Sequence, residues 1–248
     1  MGKQEKMPLS RRTGEFFLRR IRRLLVWLLW LAAGFVALSL FSVLIFRWLD
    51  PPTTAFMIQY QVLEMPRDAS QPIRNRWVGL EDISNAMQLA VVAAEDQKFP
   101  YHNGFDLESM SDAVEDRLRG DRLRGASTIT QQTAKNLFLW PGRSFLRKGL
   151  EAWFSMLLEF CWPKARILEV YLNIAEFGRG IYGVEAAARH FFHKHADGLR
   201  PGEAAVLAAV LPSPKRLHAN RPSAYVQDRA RWILEQMRML GPEYLSGI

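Results

Sequence analysis

A mainly α protein, with one transmembrane helix ahead of a single helical domain, is predicted by three features of this 248-residue chain. An uncharged run of 23 residues extends from Leu24 to Phe46, apolar residues recur at helical spacing through most of the remaining chain, and helix-starting and helix-stopping residues bracket those stretches.

The run LLVWLLWLAAGFVALSLFSVLIF comes first. At about 1.5 Å per residue it reaches about 34 Å as a helix, enough for a hydrocarbon core of about 30 Å. A cleaved signal peptide has a shorter apolar region, of about 7 to 15 residues, and a small-residue cleavage site. Here Arg47, Trp48, Leu49 and Asp50 come next instead, so the run reads as a retained anchor. Residues 1–47 carry nine Lys or Arg against Glu5 and Glu15, a balance of +7 that keeps the N-terminus in the cytoplasm. The expected division is a basic cytoplasmic N-terminus (1–23), a transmembrane helix (24–46) and an exported, periplasmic domain (47–248). The whole chain is +8, which leaves +1 for residues 48–248. The basic balance is therefore a topology signal, and no nucleic-acid partner is expected. The juxtamembrane cations would add attraction to anionic headgroups, about 1 kcal/mol per charge near the surface.

Within the exported part, Ser84 suits an N-cap for a helix through NAMQLAVVAAED, where Ile83, Met87, Ala90 and Ala94 share a face and Glu95 falls at the end. Pro100, Asn103 and Gly104 interrupt the pattern, and Asp106 or Ser109 starts another helix toward Arg119 and Gly120. Further helices are expected over residues 128–139, stopped by Pro141 and Gly142, then over 145–160, 165–175 and 184–192. Two more are expected over 201–210, with proline in the first turn, and over 224–240, with Gly241 beyond the end. The one extended piece expected is Arg76 to Leu80. About 200 residues suffice for one substantial core, and no internal repeat or long linker divides them. Cys161, the only cysteine, lies in the apolar stretch WFSMLLEFCW and reads as a buried thiol; no intrachain disulfide is possible.

Chemistry concentrates in EDQKFPYHNGFD (95–106), GASTITQQTAKN (125–136) and RKGLE (147–151). Two glutamates, several hydroxyls and amides and four cations within sixty residues suit moving a sugar off a phosphate. Glu95, at the end of an apolar helix, is either a solvated helix-end acid or a half-desolvated general base with a raised pKa. Asp96 projects about 100° away on a helix, so simple spacing does not aim both acids at one atom. His102 near a turn is more often structural than catalytic. On a helix from Thr128, the positions of Thr128, Gln132 and Lys135 form a polar stripe flanked by Ser127, Gln131 and Asn136, suited to sugar hydroxyls and a phosphate but equally to an exposed face. Arg147 and Glu151, one turn apart beside Lys148, make either an ordinary intrahelical ion pair or a grip for pyrophosphate. The HFFHKH segment (His190, His193, His195) lacks a set that completes a metal site. HExxH, GxSxG, the GxxxxGKS phosphate loop, SxxK and KTG are absent, so a serine transpeptidase is not encoded.

In that order, these blocks and KARILEVYLNIAEFGRGIYGVEAAARHFF resemble glycosyltransferase family 51 of peptidoglycan synthases. That domain stands at the front of class A penicillin-binding proteins and alone in monofunctional enzymes; the single-domain length is similar to the monofunctional branch. Ala126 stands where glycine is common. The resemblance implies a lysozyme-like, two-lobed helical domain that polymerises lipid II, a disaccharide-pentapeptide on undecaprenyl pyrophosphate, into linear glycan strands with inversion at the donor anomeric carbon. It implies Glu95 as the base, Glu151 as second essential carboxylate with a divalent cation such as Mg²⁺, and Lys135, Arg147 and Lys148 on the departing pyrophosphate. Ser127, Thr128, Gln132 and Asn136 would contact the donor, Asp96, Phe99 and His102 would shape the site around Glu95, and Glu169, Tyr171 and Asn173 would be scaffold. The partners expected are lipid II, the growing glycan chain, the inner membrane and proteins of the division or elongation machinery. A lysozyme-like glycan-cleaving enzyme and a catalytically silent membrane scaffold of cell-wall assembly are the alternatives.

Trp140, Phe145 and Leu146, lying between basic motifs, suit a membrane interface. Phe145→Ser with Leu146→Ser is expected to weaken vesicle binding of protein lacking residues 1–47, measured by flotation; unchanged binding would remove the interfacial reading.

Overall fold

A computed structural model describes residues 9–67, 72–109, 111, 115, 119, 127–142 and 144–248. The chain forms two units, the first ending at Ile45 and the second running Phe46–Ile248. In the first, helix α1 (Leu9–Phe46) contains the expected apolar run. Among the described residues it is the helix long and apolar enough to cross a membrane, over Arg19–Phe46.

The second unit is mainly helical: α2 (Ala55–Gln59), α3 (Asn85–Glu95), α4 (Ile129–Phe138), α5 (Phe145–Cys161), α6 (Lys164–Ile174), α7 (Val184–Phe192), α8 (Pro201–Val210) and α9 (Ala224–Leu240). Local chemistry sets their ends. Ser84, Ser144 and Ser223 cap α3, α5 and α9 by accepting from the third backbone N–H. Proline opens α8, and Gly241 ends α9 at φ +84°. The helix expected from Asp106 lies largely outside the described residues; residues 107–109 are helical, and Asp106 caps them through Ser109 N–H at 2.9 Å.

The core follows the apolar faces. Ile167, Leu168, Val170, Leu172 and Ile174 bury most of α6, while Ala204, Ala205, Leu207, Ala208, Ala209 and Val210 bury α8 almost all round. Helices α3 and α9 pack on α8, and α5 and α6 pack on α4. Phe138 stacks on Phe154 at 4.4 Å between α4 and α5. Cys161 is buried and unpaired.

The expected extended piece is displaced. Strand β1 is Arg74–Asn75, residues 76–79 have no regular structure, and a 3₁₀ turn begins at Leu80. Two strands absent from the sequence reading, β2 (Glu176–Gly178) and β3 (Ile181–Tyr182), complete a small sheet of order β1-β3-β2, with β1 parallel and β2 antiparallel to β3. The cause is tertiary. Arg74 pairs with Ile181 and Asn75 with Tyr182, more than a hundred residues apart, and a two-residue strand carries no readable alternation. Gly183 admits the close approach, since a Cβ there would lie 2.6 Å from the Asn173 carbonyl oxygen at φ +82°.

Asn173 is fully buried and fastens the 75–79 segment to α6. Its Nδ2 donates to the carbonyls of Val78 and Glu169, each at 2.9 Å, and its Oδ1 accepts from Val78 N–H at 3.0 Å. Asn173→Ala orphans the Val78 N–H and carbonyl and is expected to lower stability by about 3 kcal/mol, measured by chemical denaturation.

Candidate active site

Glu95 ends α3, and the next residue leaves the helix: Asp96 adopts an extended backbone at φ −162° and turns its carboxylate inward. The two acids part company there. Asp96 is 7% exposed and accepts from the backbone N–H of Ile129 at 2.9 Å and from His102 Nε2 at 2.9 Å. His102 Nδ1 accepts from Gly104 N–H at 3.1 Å, which leaves its proton on Nε2, facing Asp96. Asp96 and His102 thus brace the loop after α3 against the start of α4.

Thr128 belongs to the same brace. It is the N-cap of α4, accepting from Gln131 N–H at 3.2 Å while its own hydroxyl donates to the Gly104 carbonyl at 2.6 Å. The polar stripe expected from Thr128 onward therefore begins at Gln132, because the capping bonds occupy the Thr128 hydroxyl. Gly104 sits at φ +85°, where a Cβ would meet Glu159 Cγ at 2.9 Å. Phe99 is wholly buried, with Lys164 Nζ 4.6 Å from its ring centre.

Glu95 itself is half-buried and faces a different set of groups. Gln132 Nε2 donates to its Oε2 at 2.7 Å. Its Oε1 has no hydrogen-bond partner among the described residues. Burial pushes the carboxylate above its ordinary value; the Gln132 hydrogen bond and the cations Arg229 and Lys135 offset part of that rise, and Asp96 adds to it. A cavity of about 650 Å³ lies against Glu95, between the end of α3, Ser127 and Thr128, and the face of α9 that carries Arg229, Trp232 and Gln236.

The cations gather on α4 and α5. Glu151 is 3% exposed, Arg147 Nη1 donates to its Oε2 at 2.6 Å, and Lys148 Nζ to its Oε1. The Arg147–Glu151 pair is buried, unlike a solvated helix-surface pair, whereas Lys148 is about half exposed. Arg147 Nε is buried without a partner among the described residues. Lys135 joins the two carboxylates electrostatically: burial lowers its ammonium pKa, Glu151 and then Glu95 raise it, and Arg147 and Lys148 lower it. Its Nζ sits 5.7 Å from the centre of the Phe56 ring. Asn136 is half-buried one turn beyond Gln132, and Ser127 is exposed at the cavity.

Residues absent from the sequence reading complete the surroundings. Arg229 donates to the Ala94 carbonyl at 3.0 Å and stacks on Trp232 at 4.3 Å. Gln97 donates to Gln236 at 3.0 Å, and Glu159 accepts from Thr130 at 2.5 Å and from Lys164 at 2.8 Å. The arginine lies 135 residues from its partner, and no local pattern distinguishes it from the other cations of α9. Of the expected scaffold residues, Glu169 accepts from Trp77 Nε1 at 3.3 Å and Arg166 Nη1 at 2.5 Å, and Tyr171 reaches Gln132. Phe145 is fully exposed and Leu146 70% exposed at the start of α5, with Trp140 shortly before.

A partly desolvated carboxylate with one open oxygen, a cavity edged by amides and an aromatic ring, and cations clustered on a second carboxylate are suited to group transfer with an anionic leaving group. The chain belongs to the transglycosylase family, whose profile matches residues 62–238. Relatives named biosynthetic peptidoglycan transglycosylase are 52% identical over 231 residues in Xanthomonas euvesicatoria pv. vesicatoria, covering 92% of this chain and 93% of the relative. Another, in Shewanella oneidensis, is 51% identical over 93% of this chain and 98% of its own. A third, in Pseudomonas putida, is 53% identical over 92% and 94%.

Arg229→Gln removes a cation that favours ionised Glu95. The Glu95 pKa is expected to move further above the ordinary carboxylate value, followed by ¹³C NMR titration of the side-chain carboxyl.

Proposed function

We propose that the protein is a peptidoglycan glycosyltransferase that polymerises lipid II, and that Glu95 is its general base. The observation carrying this reading is the pairing of Glu95, raised by burial and open at Oε1, with a cation cluster nearby. A carboxylate whose pKa is raised by burial suits a base that takes a hydroxyl proton and later gives it up. In the proposed step, Glu95 Oε1 takes the proton of the acceptor N-acetylglucosamine 4-hydroxyl as that oxygen attacks C1 of the donor N-acetylmuramic acid. The C1–O bond to pyrophosphate breaks, the anomeric centre inverts from α to β, and undecaprenyl pyrophosphate departs with the bonding pair.

Arg147, Lys148 and Lys135 would meet the charge that develops on the leaving group. The partnerless Arg147 Nε supports an oxyanion there, since a buried N–H without an acceptor is costly. Glu151 would hold Arg147 and Lys148 in place. In this reading Gln132 and Asn136 lie toward the donor, with Ser127 and Thr128 at the cavity edge. The cavity under Trp232, Gln97 and Gln236 suits the acceptor sugar, whose ring can stack on indole while its hydroxyls meet amides.

The residues do not form a ready-made site for the divalent cation that the resemblance implies. Each oxygen of Glu151 already accepts from a cation, and no group of three His, Cys, Asp or Glu suited to a metal occurs among the described residues. Mg²⁺ would have to enter with the pyrophosphate, and no step of the proposed reaction is routed through it. The basic N-terminus favours a cytoplasmic start and a periplasmic domain, which puts the site beside the outer leaflet of the inner membrane, where a lipid-linked donor resides. Contacts with division or elongation proteins belong to the same cellular setting.

Labelled lipid II incubated with detergent-solubilised protein is expected to give polymer on a strand-resolving gel, and Glu95→Gln to lose it by at least about 10³-fold, of the order seen when general base catalysis is removed. Strand shortening would favour a glycan-cleaving enzyme. Neither growth nor shortening, where a known synthase works, would favour a scaffold.

A further inference from the structure

Behind Glu95 runs a part-buried chain of two hydrogen bonds whose far end is the buried Tyr171. The phenol, on α6 and 1% exposed, donates to Gln132 Oε1 at 3.1 Å, and Gln132 Nε2 donates to Glu95 Oε2 at 2.7 Å. The two orientations of a glutamine amide have almost the same shape, so steric fit alone does not decide whether N–H or C=O faces the carboxylate. The reversed amide would set its carbonyl oxygen against the Glu95 carboxylate, and its NH₂ could donate to Tyr171 only if the hydroxyl turned away, leaving the phenolic hydrogen without an acceptor among the described residues. A hydroxyl that donates to Oε1 selects the productive orientation.

Tyr171 is suited to this task because its hydroxyl keeps its proton. Burial holds the phenol well above the ordinary tyrosine value, and the nearby Glu95 and Asp96 push it the same way. The hydrogen bonds also polarise one another, so a donor on the amide oxygen makes the amide N–H a better donor to the carboxylate.

We propose that Tyr171 is a positioning residue for glycosyl transfer: by donating to Gln132 it orients the amide that holds Glu95 Oε2, leaving Oε1 aimed at the incoming hydroxyl. The role rests on the reading of Glu95 as the base. The chain carries orientation and not protons, since the Gln132 amide stays neutral throughout. When Oε1 receives the acceptor proton, Oε2 goes on accepting from Gln132.

The test uses the full-length protein in detergent with lipid II. Tyr171→Phe keeps the ring and deletes the donor; the acid limb of kcat/KM is expected to move to higher pH, and kcat at neutral pH to fall about tenfold with KM little changed. Replacing Tyr171 by a ring-fluorinated tyrosine, a stronger donor in an almost unaltered shape, is expected to move the limb the other way. This second variant keeps the test decisive if Tyr171→Phe folds poorly. In a Gln132→Met background neither change should shift the limb further, because Tyr171 acts through the amide. The Glu95 carboxyl is titrated by ¹³C NMR in the same variants, which separates the two claims. If its pKa moves in opposite directions in the two variants but activity does not follow, the positioning of Glu95 stands and its role as base falls. If the pKa is unmoved in the fluorinated protein and in any folded Tyr171→Phe, or the shifts persist without Gln132, Tyr171 does not position Glu95 and the proposal is overturned.

Discussion

Asp96 stands one residue beyond Glu95, and its buried carboxylate binds two separate pieces of chain, the first backbone N–H of α4 and the His102 ring. A carboxylate in a mostly apolar interior is costly unless hydrogen-bonded donors surround it, and here they are met only when the end of α3, the loop through Gly104 and the start of α4 come together. A carboxylate at a helix N-terminus also meets the positive end of the helix dipole. The geometry of Glu95 depends on this clasp, because Gln132 and Lys135 reach it from the helix that Asp96 secures. The Thr128 hydroxyl on the Gly104 carbonyl fastens the same loop a second time.

Two treatments of negative charge then lie side by side. Glu151 is buried but paired on both oxygens, whereas Glu95 is hydrogen-bonded on one and open on the other. Buried pairs hold their partners firmly because releasing either leaves an uncompensated charge. Glu151 therefore keeps Arg147, its buried partner, in place. Glu95 is only partly compensated, and its pKa is raised by burial. Lys135 lies within the field of both: burial lowers its pKa, and Glu151 and Glu95 raise it. One short helix, α4, thus couples Glu95 to the cation cluster, which is why its capping and register matter more than its ten residues suggest.

Much of this was legible in the chain. The 3.6-residue recurrence, the serine caps and the proline and glycine at helix ends act over a few residues, so α3, α4, α5, α8 and α9 could be read almost to their boundaries. The carboxylates and cations stood out as types. Their partners did not: a stripe that seemed to run from Thr128 through Lys135 gave up its first member to capping, and the Arg147–Glu151 pair was open between a surface bridge and a buried grip. The β2–β3 hairpin left only Gly-Arg-Gly between short apolar pieces, and its pairing with β1 depends on residues a hundred positions away.

The sequence by itself determined the anchor, the helical class, the order of the blocks and the family they resemble, because hydrophobic length, periodicity and motif spacing are properties of adjacent residues. Tertiary structure decided which acid is clasped and which is open, that Glu151 is buried, that Arg229 and Trp232 border the Glu95 cavity, and that Tyr171 reaches Glu95 through Gln132. Those outcomes depend on desolvation and on distances between groups far apart in the chain, and such distances exist only once the helices have packed.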